Sequence, residues 1–198
     1  MNSRPRWLVP VAVAVGVLLL LVLPLVAVYN GLVDKETAVE QSFADLDVQL
    51  TRRSDLIPNL VDATRGIFAQ ERAVFDALAE ARSNYLNASP GSSDQAAASD
   101  ELSGALSQFL VVVESYPDLR SNENVLALQD QLEGTENRIA QARRDYNGVV
   151  TTYNRSVRRF PRSVLAGVFG FDRKPLFEAD ADDRENPSVD LETDLGGG

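Results

Sequence analysis

An unbroken apolar run opens the chain. From Trp7 to Val33 no charged residue occurs, and Trp7–Val28 is almost wholly Leu, Val and Ala. About 20 apolar residues in a helix cross the hydrocarbon core of a bilayer, so the run predicts a transmembrane helix over residues 7–29. Pro10 and Pro24 fall near its ends, and Trp7 and Tyr29 bracket it as amphipathic rings do at the two interfaces of a membrane. The alternative is a cleaved signal peptide. Its apolar stretch is only about 7–15 residues and ends at a small-residue cleavage site, which Leu25-Val26-Ala27-Val28 matches poorly. Arg4 and Arg6 precede the run, and Asp34, Lys35 and Glu36 follow it. The positive-inside rule therefore expects a single-pass protein of the cell membrane, with residues 1–6 cytoplasmic and the main domain outside the cytoplasm.

Beyond the run the pattern changes to steps of three and four. Val39, Phe43, Leu46, Leu50, Ile57, Leu60, Ile67, Val74 and Leu78 form the seam of a helix packed in a bundle or coiled coil. Arg53, Thr64 and Glu71 occupy the remaining seam positions. Pro58 interrupts the seam chemically but not in phase. Its neighbours Leu56-Ile57 and Asn59-Leu60 carry too little turn chemistry for a hairpin, so one helix kinked at Pro58 is expected from about Gly31 to Tyr85. Asn87–Ser99, rich in Ser, Ala, Gly and Pro, reads as a loop. A second helix carries Leu102, Leu106, Phe109, Val113 and Tyr116 on one face and stops at Pro117. A third keeps Val125, Leu128, Leu132, Thr135, Ile139, Ala142, Tyr146, Val149, Tyr153 and Val157 in phase and ends at Phe160-Pro161. The fold class is thus all-α: one N-terminal transmembrane helix, then residues 30–177 as an antiparallel bundle of three long helices with a short C-terminal cap. Residues 178–198 are acidic and poorly apolar, and read as a disordered, solvating tail.

Composition narrows the chemistry. The 198 residues include no Cys and no His, which removes disulfides, thiol and imidazole catalysis and His/Cys zinc sites. A net charge of -10 argues against nucleic acid as a partner. Glu133 and Glu136, spaced i, i+3 on one helix surface, and Glu71 are the best carboxylates for an enzyme. A di-metal bundle would need histidines, and a glycosidase would need two carboxyls converging in a cleft. No catalytic, cofactor-binding or metal-binding residue is therefore assigned, and no cofactor is expected.

Other polar residues fall into two groups. Arg53, Glu71, Glu136, Arg143, Tyr146, Asn147, Tyr153 and Asn154 form a polar seam. Tyr146-Asn147 and Tyr153-Asn154 repeat seven residues apart, and such pairs more often pack and cap than bind a ligand. Glu71 is expected near Arg143 or Arg144, and Arg53 near Gln129 or Glu133. Arg155, Arg158, Arg159 and Arg162 crowd the end of the third helix, with Phe169 and Phe171 following. Those cations either complement the helix C-terminus or form a membrane-surface or partner-docking segment. A continuous first helix would carry them to the end of the bundle distant from the bilayer, with Val164–Phe171 capping the bundle or meeting a partner.

The chain resembles the LemA family. The resemblance rests on Tyr29-Asn30-Gly31-Leu32-Val33, Asp47-Val48-Gln49-Leu50 with Arg52-Arg53, Asp55-Leu56-Ile57-Pro58-Asn59-Leu60-Val61 and Glu71. It continues through Glu136-Asn137-Arg138-Ile139-Ala140, Tyr146-Asn147, Tyr153-Asn154, Phe160-Pro161 and Phe169-Gly170-Phe171. Phe68, where the family more often has Tyr, and Leu191, in place of an aromatic residue, depart from the pattern. The resemblance implies a single-pass membrane protein with an outer helical bundle, and it brings no established activity. Some relatives are associated with bacterial intracellular membrane organelles. The expected function is a scaffold or adaptor that recruits envelope components, with the bilayer and protein partners or a homo-oligomer as its contacts. A cell-envelope enzyme using Glu71 or Glu136 is the alternative.

Overall fold

The computed structural model describes residues 8–64 and 71–177, with residues 8, 9 and 21 described by backbone alone. Arg4, Arg6, Trp7, Ile67, Phe68, Leu191 and the acidic tail lie outside the described residues. The described chain is all-α: α1 (Leu8–Thr64), α2 (Arg72–Asn87), α3 (Ser93–Glu114), α4 (Pro117–Arg120), α5 (Glu123–Arg158) and α6 (Arg162–Phe169). It divides into two compact units, and both α1 and α5 contribute to each.

The first unit joins α1 up to Arg53 with α5 from Glu133 onward, α6 and the extended segment to Leu176. Here α1 and α5 run antiparallel. Lys174, held beside Asn154 of α5, reaches Glu36; Tyr146 stacks edge-on to Phe43; and Glu136 meets Arg53. Each step up α1 is matched by a step back along α5. The seam between them is apolar, with Leu32, Val39, Leu46, Leu50, Ile139, Val150 and Tyr153 buried. Each such side chain contributes about 1.5–3 kcal/mol when fully removed from water.

The second unit holds the end of α1, α2, α3, α4 and the start of α5. Here α2 and α3 pair antiparallel, with Phe75 edge-on to Phe109 and the Asn84 amide donating to Glu101. The expected continuous helix from Gly31 to Tyr85 is corrected at this point. Helix α1 passes through Pro58 unbroken, ends at Thr64, and is succeeded by a separate α2. Thr64, a weak helix former, turns its hydroxyl back to the Leu60 and Val61 carbonyls. The helix therefore ends at Thr64, not at Pro58.

Pro58 has a different consequence. Having no N–H, it leaves the carbonyl of Ser54, four residues back, without its helical donor. The Arg82 guanidinium of α2 supplies one, donating through Nε to the Ser54 oxygen at 2.9 Å. The proline thus creates an acceptor on α1 that ties α2 to it.

The expected loop at Asn87–Ser99 is shorter than its composition suggests, because α3 begins at Ser93. Ser92 caps the helix by accepting from the Gln95 N–H, and the Gln95 side chain reaches back to the Gly91 N–H. Gly91 takes a φ of 72°, a conformation open to glycine, and makes the turn into this cap.

Candidate functional site

The polar seam residues separate by role. Arg53 is wholly buried, and its guanidinium meets Glu136 Oε1 at 3.2 Å. The expected partners, Gln129 or Glu133, are off by one or two helical turns. Glu71 is not a seam ion pair with Arg143 or Arg144. It is the half-buried N-cap residue of α2, and its carboxylate accepts from the Tyr116 hydroxyl at 3.5 Å. Glu136 and Glu71 are thus each engaged separately. Among the described residues no group of three or more acidic side chains is placed to hold a metal ion.

Tyr146, Tyr153 and Asn154 act on one target, the extended segment after α6. Tyr146 and Tyr153 donate their hydroxyls to the carbonyls of Pro175 and Asp172 at 3.1 and 2.9 Å. Asn154 clasps Lys174 from both sides: its amide donates to the Lys174 carbonyl at 2.8 Å, and its Oδ1 accepts the Lys174 N–H at 3.0 Å. The Lys174 ammonium then reaches Glu36 of α1 at 2.8 Å. Burial, with the Glu36 and Asp172 carboxylates adding to it, pushes the Tyr153 phenol up to about 12. Burial also raises that of Tyr146. Asn147 and Arg143 are half-buried on α5.

This strap positions the basic segment. Gly170 ends α6 with a φ of 76°, and the Phe171 N–H returns to the Ala166 carbonyl at 3.0 Å, so the chain reverses. Ala166 and Phe171 are buried with Leu32 of α1, and Val157 packs on them. Tyr29, at the end of the apolar run, meets the rings of Phe169 and Phe171 with centroids 5.0 and 5.7 Å away. The expectation that Arg155–Phe171 lies at the end of the bundle distant from the apolar run is therefore overturned. With α1 ending at Thr64, the return of α5 brings its C-terminus back beside Tyr29 and Glu36.

Beside the strap lies an open groove of about 690 Å³ lined by Thr151, Asn154, Arg155, Arg158, Arg159, Arg173 and Leu176. Arg155, Arg158 and Arg159 are exposed, and Arg162 is half-buried at the start of α6. Sequence reasoning missed Arg173. It stands apart from the arginine run on α5, and only the strap returns it to that helix.

The family model described as LemA family matches residues 42–191. Magnetosome protein MamQ 2 of Paramagnetospirillum magneticum (strain ATCC 700264 / AMB-1) is 26% identical over 175 residues, covering 76% of this chain and 64% of the relative. Magnetosome protein MamQ 1 of the same strain gives the same figures. Magnetosome protein MamQ of Magnetospirillum gryphiswaldense (strain DSM 6361 / JCM 21280 / NBRC 15271 / MSR-1) is 25% identical over 191 residues, covering 84% of this chain and 70% of the relative. The chain thus spans just under two thirds of the length of the first two relatives. The family match takes in α1 from residue 42 onward, α2 to α6, the strap and the arginine-lined groove, and the chain belongs to the LemA family.

Proposed function

We propose that the protein is a single-pass, membrane-anchored helical scaffold that holds or assembles other membrane or envelope components and catalyses no reaction. The observation that carries this reading is α1. Its apolar segment is exposed, Leu20 to 74%, and the same helix continues into the buried seam of Leu32, Val39, Leu46 and Leu50. Such a segment needs lipid around it, and the folded part is attached to it through unbroken helix. Two further observations support a non-catalytic role. Glu136 is occupied by Arg53, and Tyr146, Tyr153 and Asn154 are occupied with the strap. Relatives named as magnetosome proteins support a part in building a cellular structure.

The proposed orientation places the N-terminus in the cytoplasm and the bundle outside it, from Arg4 and Arg6 against the acidic flank after Tyr29. Protease added to spheroplasts should digest the bundle; protection of everything past Tyr29 reverses the orientation. For the scaffold itself, photocrosslinkers at the exposed Val48 and Val111 of the membrane-embedded protein should give discrete adducts with a partner or a second copy. An absence of adducts from any exposed position argues against a scaffold.

A further inference from the structure

We propose that the C-terminal end of α5, with α6 and the strap, forms an interfacial module that lies on the bilayer crossed by α1 and holds the phosphate of an anionic phospholipid between its arginines. The inference rests on the reading of α1 as a membrane span.

The level of the module follows from α1. Leu8 to Tyr29 at 1.5 Å per residue is about 31 Å, the thickness of a hydrocarbon core, so Tyr29 stands where headgroups begin. Phe169 and Phe171 touch Tyr29 itself. Leu32, one turn further, is buried with Ala166 and Phe171. Glu36, about 10 Å beyond Tyr29 along the helix, holds Lys174. The module therefore lies within the headgroup layer or about one Debye length of it.

Its surface fits that location. Phe160 is 79% exposed and Val168 72%, with Val164 and Phe169 also exposed, while Ala166 is turned inward onto α1. A short helix with an uncovered apolar face beside a transmembrane segment is stabilised by burying that face at the acyl boundary. Among the described residues the groove has no acidic lining side chain, and no carboxylate is paired with Arg155, Arg158, Arg159 or Arg173. Arg155 and Arg158 complement the C-terminus of α5, but this does not account for Arg173, which arrives from a separate segment. Guanidinium groups converging from two elements match a phosphodiester, which accepts paired N–H donors.

The absence of native cysteine makes the test direct. The full chain carrying Leu20→Cys, Val168→Cys or Val48→Cys is spin-labelled and reconstituted in phosphatidylcholine, with or without phosphatidylglycerol. Accessibility to oxygen and to a water-soluble relaxant is then read. Labels at Leu20 and Val168 should be lipid-immersed and the label at Val48 aqueous. Immersion at Leu20 with an aqueous Val168 overturns the module and leaves the anchor standing; an aqueous Leu20 removes both. Phosphatidylglycerol should be enriched around the wild-type protein, as read by headgroup-labelled lipid. The exposed-site variant Arg155→Gln/Arg158→Gln/Arg159→Gln/Arg173→Gln should reduce that preference about fivefold or more. Equal preference in the variant and the wild type overturns the headgroup assignment.

Discussion

At the scale of single residues, the buried polar groups are the most exposed to mutation. Arg53 is fully buried and relies on a Glu136 carboxylate that keeps 38% of its side-chain surface in water. Glu136→Ala removes the carboxylate that meets this buried cation at 3.2 Å and should cost about 1–3 kcal/mol, below the full range for a wholly buried pair because water reaches Glu136. Denaturant melts of both proteins check this, and an unchanged midpoint would show that Arg53 does not depend on the carboxylate. Glu71→Ala should cost less than about 1 kcal/mol, because its bond to Tyr116 is long and its surroundings are half-open. Tyr153 carries a pH dependence. Its folded pKa, about 12, lies above the ordinary 10, so the folded state retains the proton more tightly. The stability this represents is complete below pH 10 and is lost as pH rises towards 12. Stability of the wild type should therefore fall across that window, and Tyr153→Phe should flatten the fall.

At the scale of elements, the tie between α1 and α2 gives a sharper prediction. Arg82 donates to a Ser54 carbonyl that is free only because residue 58 is proline. Arg82→Leu should destabilise by about 1–3 kcal/mol, the cost of a partly buried carbonyl without a donor. With Pro58→Ala in the background, the residue-58 N–H can satisfy Ser54 within the helix, and the same Arg82→Leu change should cost less. A double-mutant cycle measures the difference, and additive effects would mean that the two residues are uncoupled. This relation was invisible in sequence. The proline was legible, but the donor lies on another helix, after a break that the heptad-like phase ran through. The strap was hidden for the same reason. Tyr153-Asn154 announced a polar pair, but nothing in its spacing named Lys174 or Asp172 as the backbone it would hold.

At the scale of the whole molecule, α1 and α5 each run unbroken through both compact units. Unfolding one unit therefore frays helices that the other needs. Arg82→Leu in the second unit and Tyr153→Phe in the first should shift one shared transition. Two separated transitions, each moved by one variant alone, would show that the units melt independently.

The sequence by itself determined the apolar span, the all-α class, the family and most of the buried apolar stripe of α1 and α5. Each is a property of a periodic pattern, and a helix's buried stripe is set by residues three and four apart on the same segment. Of the buried face of α3 the sequence determined only the second half, because Gln95, Ala96, Ala98 and Ser99 sit in the stretch its composition marked as loop. Only the tertiary structure decided where the first long helix ends, because the apolar periodicity continued in phase past Thr64 to Val74 and Leu78, and a helix end costs the pattern nothing if the phase resumes. That one break reversed the inferred position of the basic C-terminal segment. A chain direction is the cumulative product of every turn before it, and no local pattern near Arg155 records how many turns preceded it.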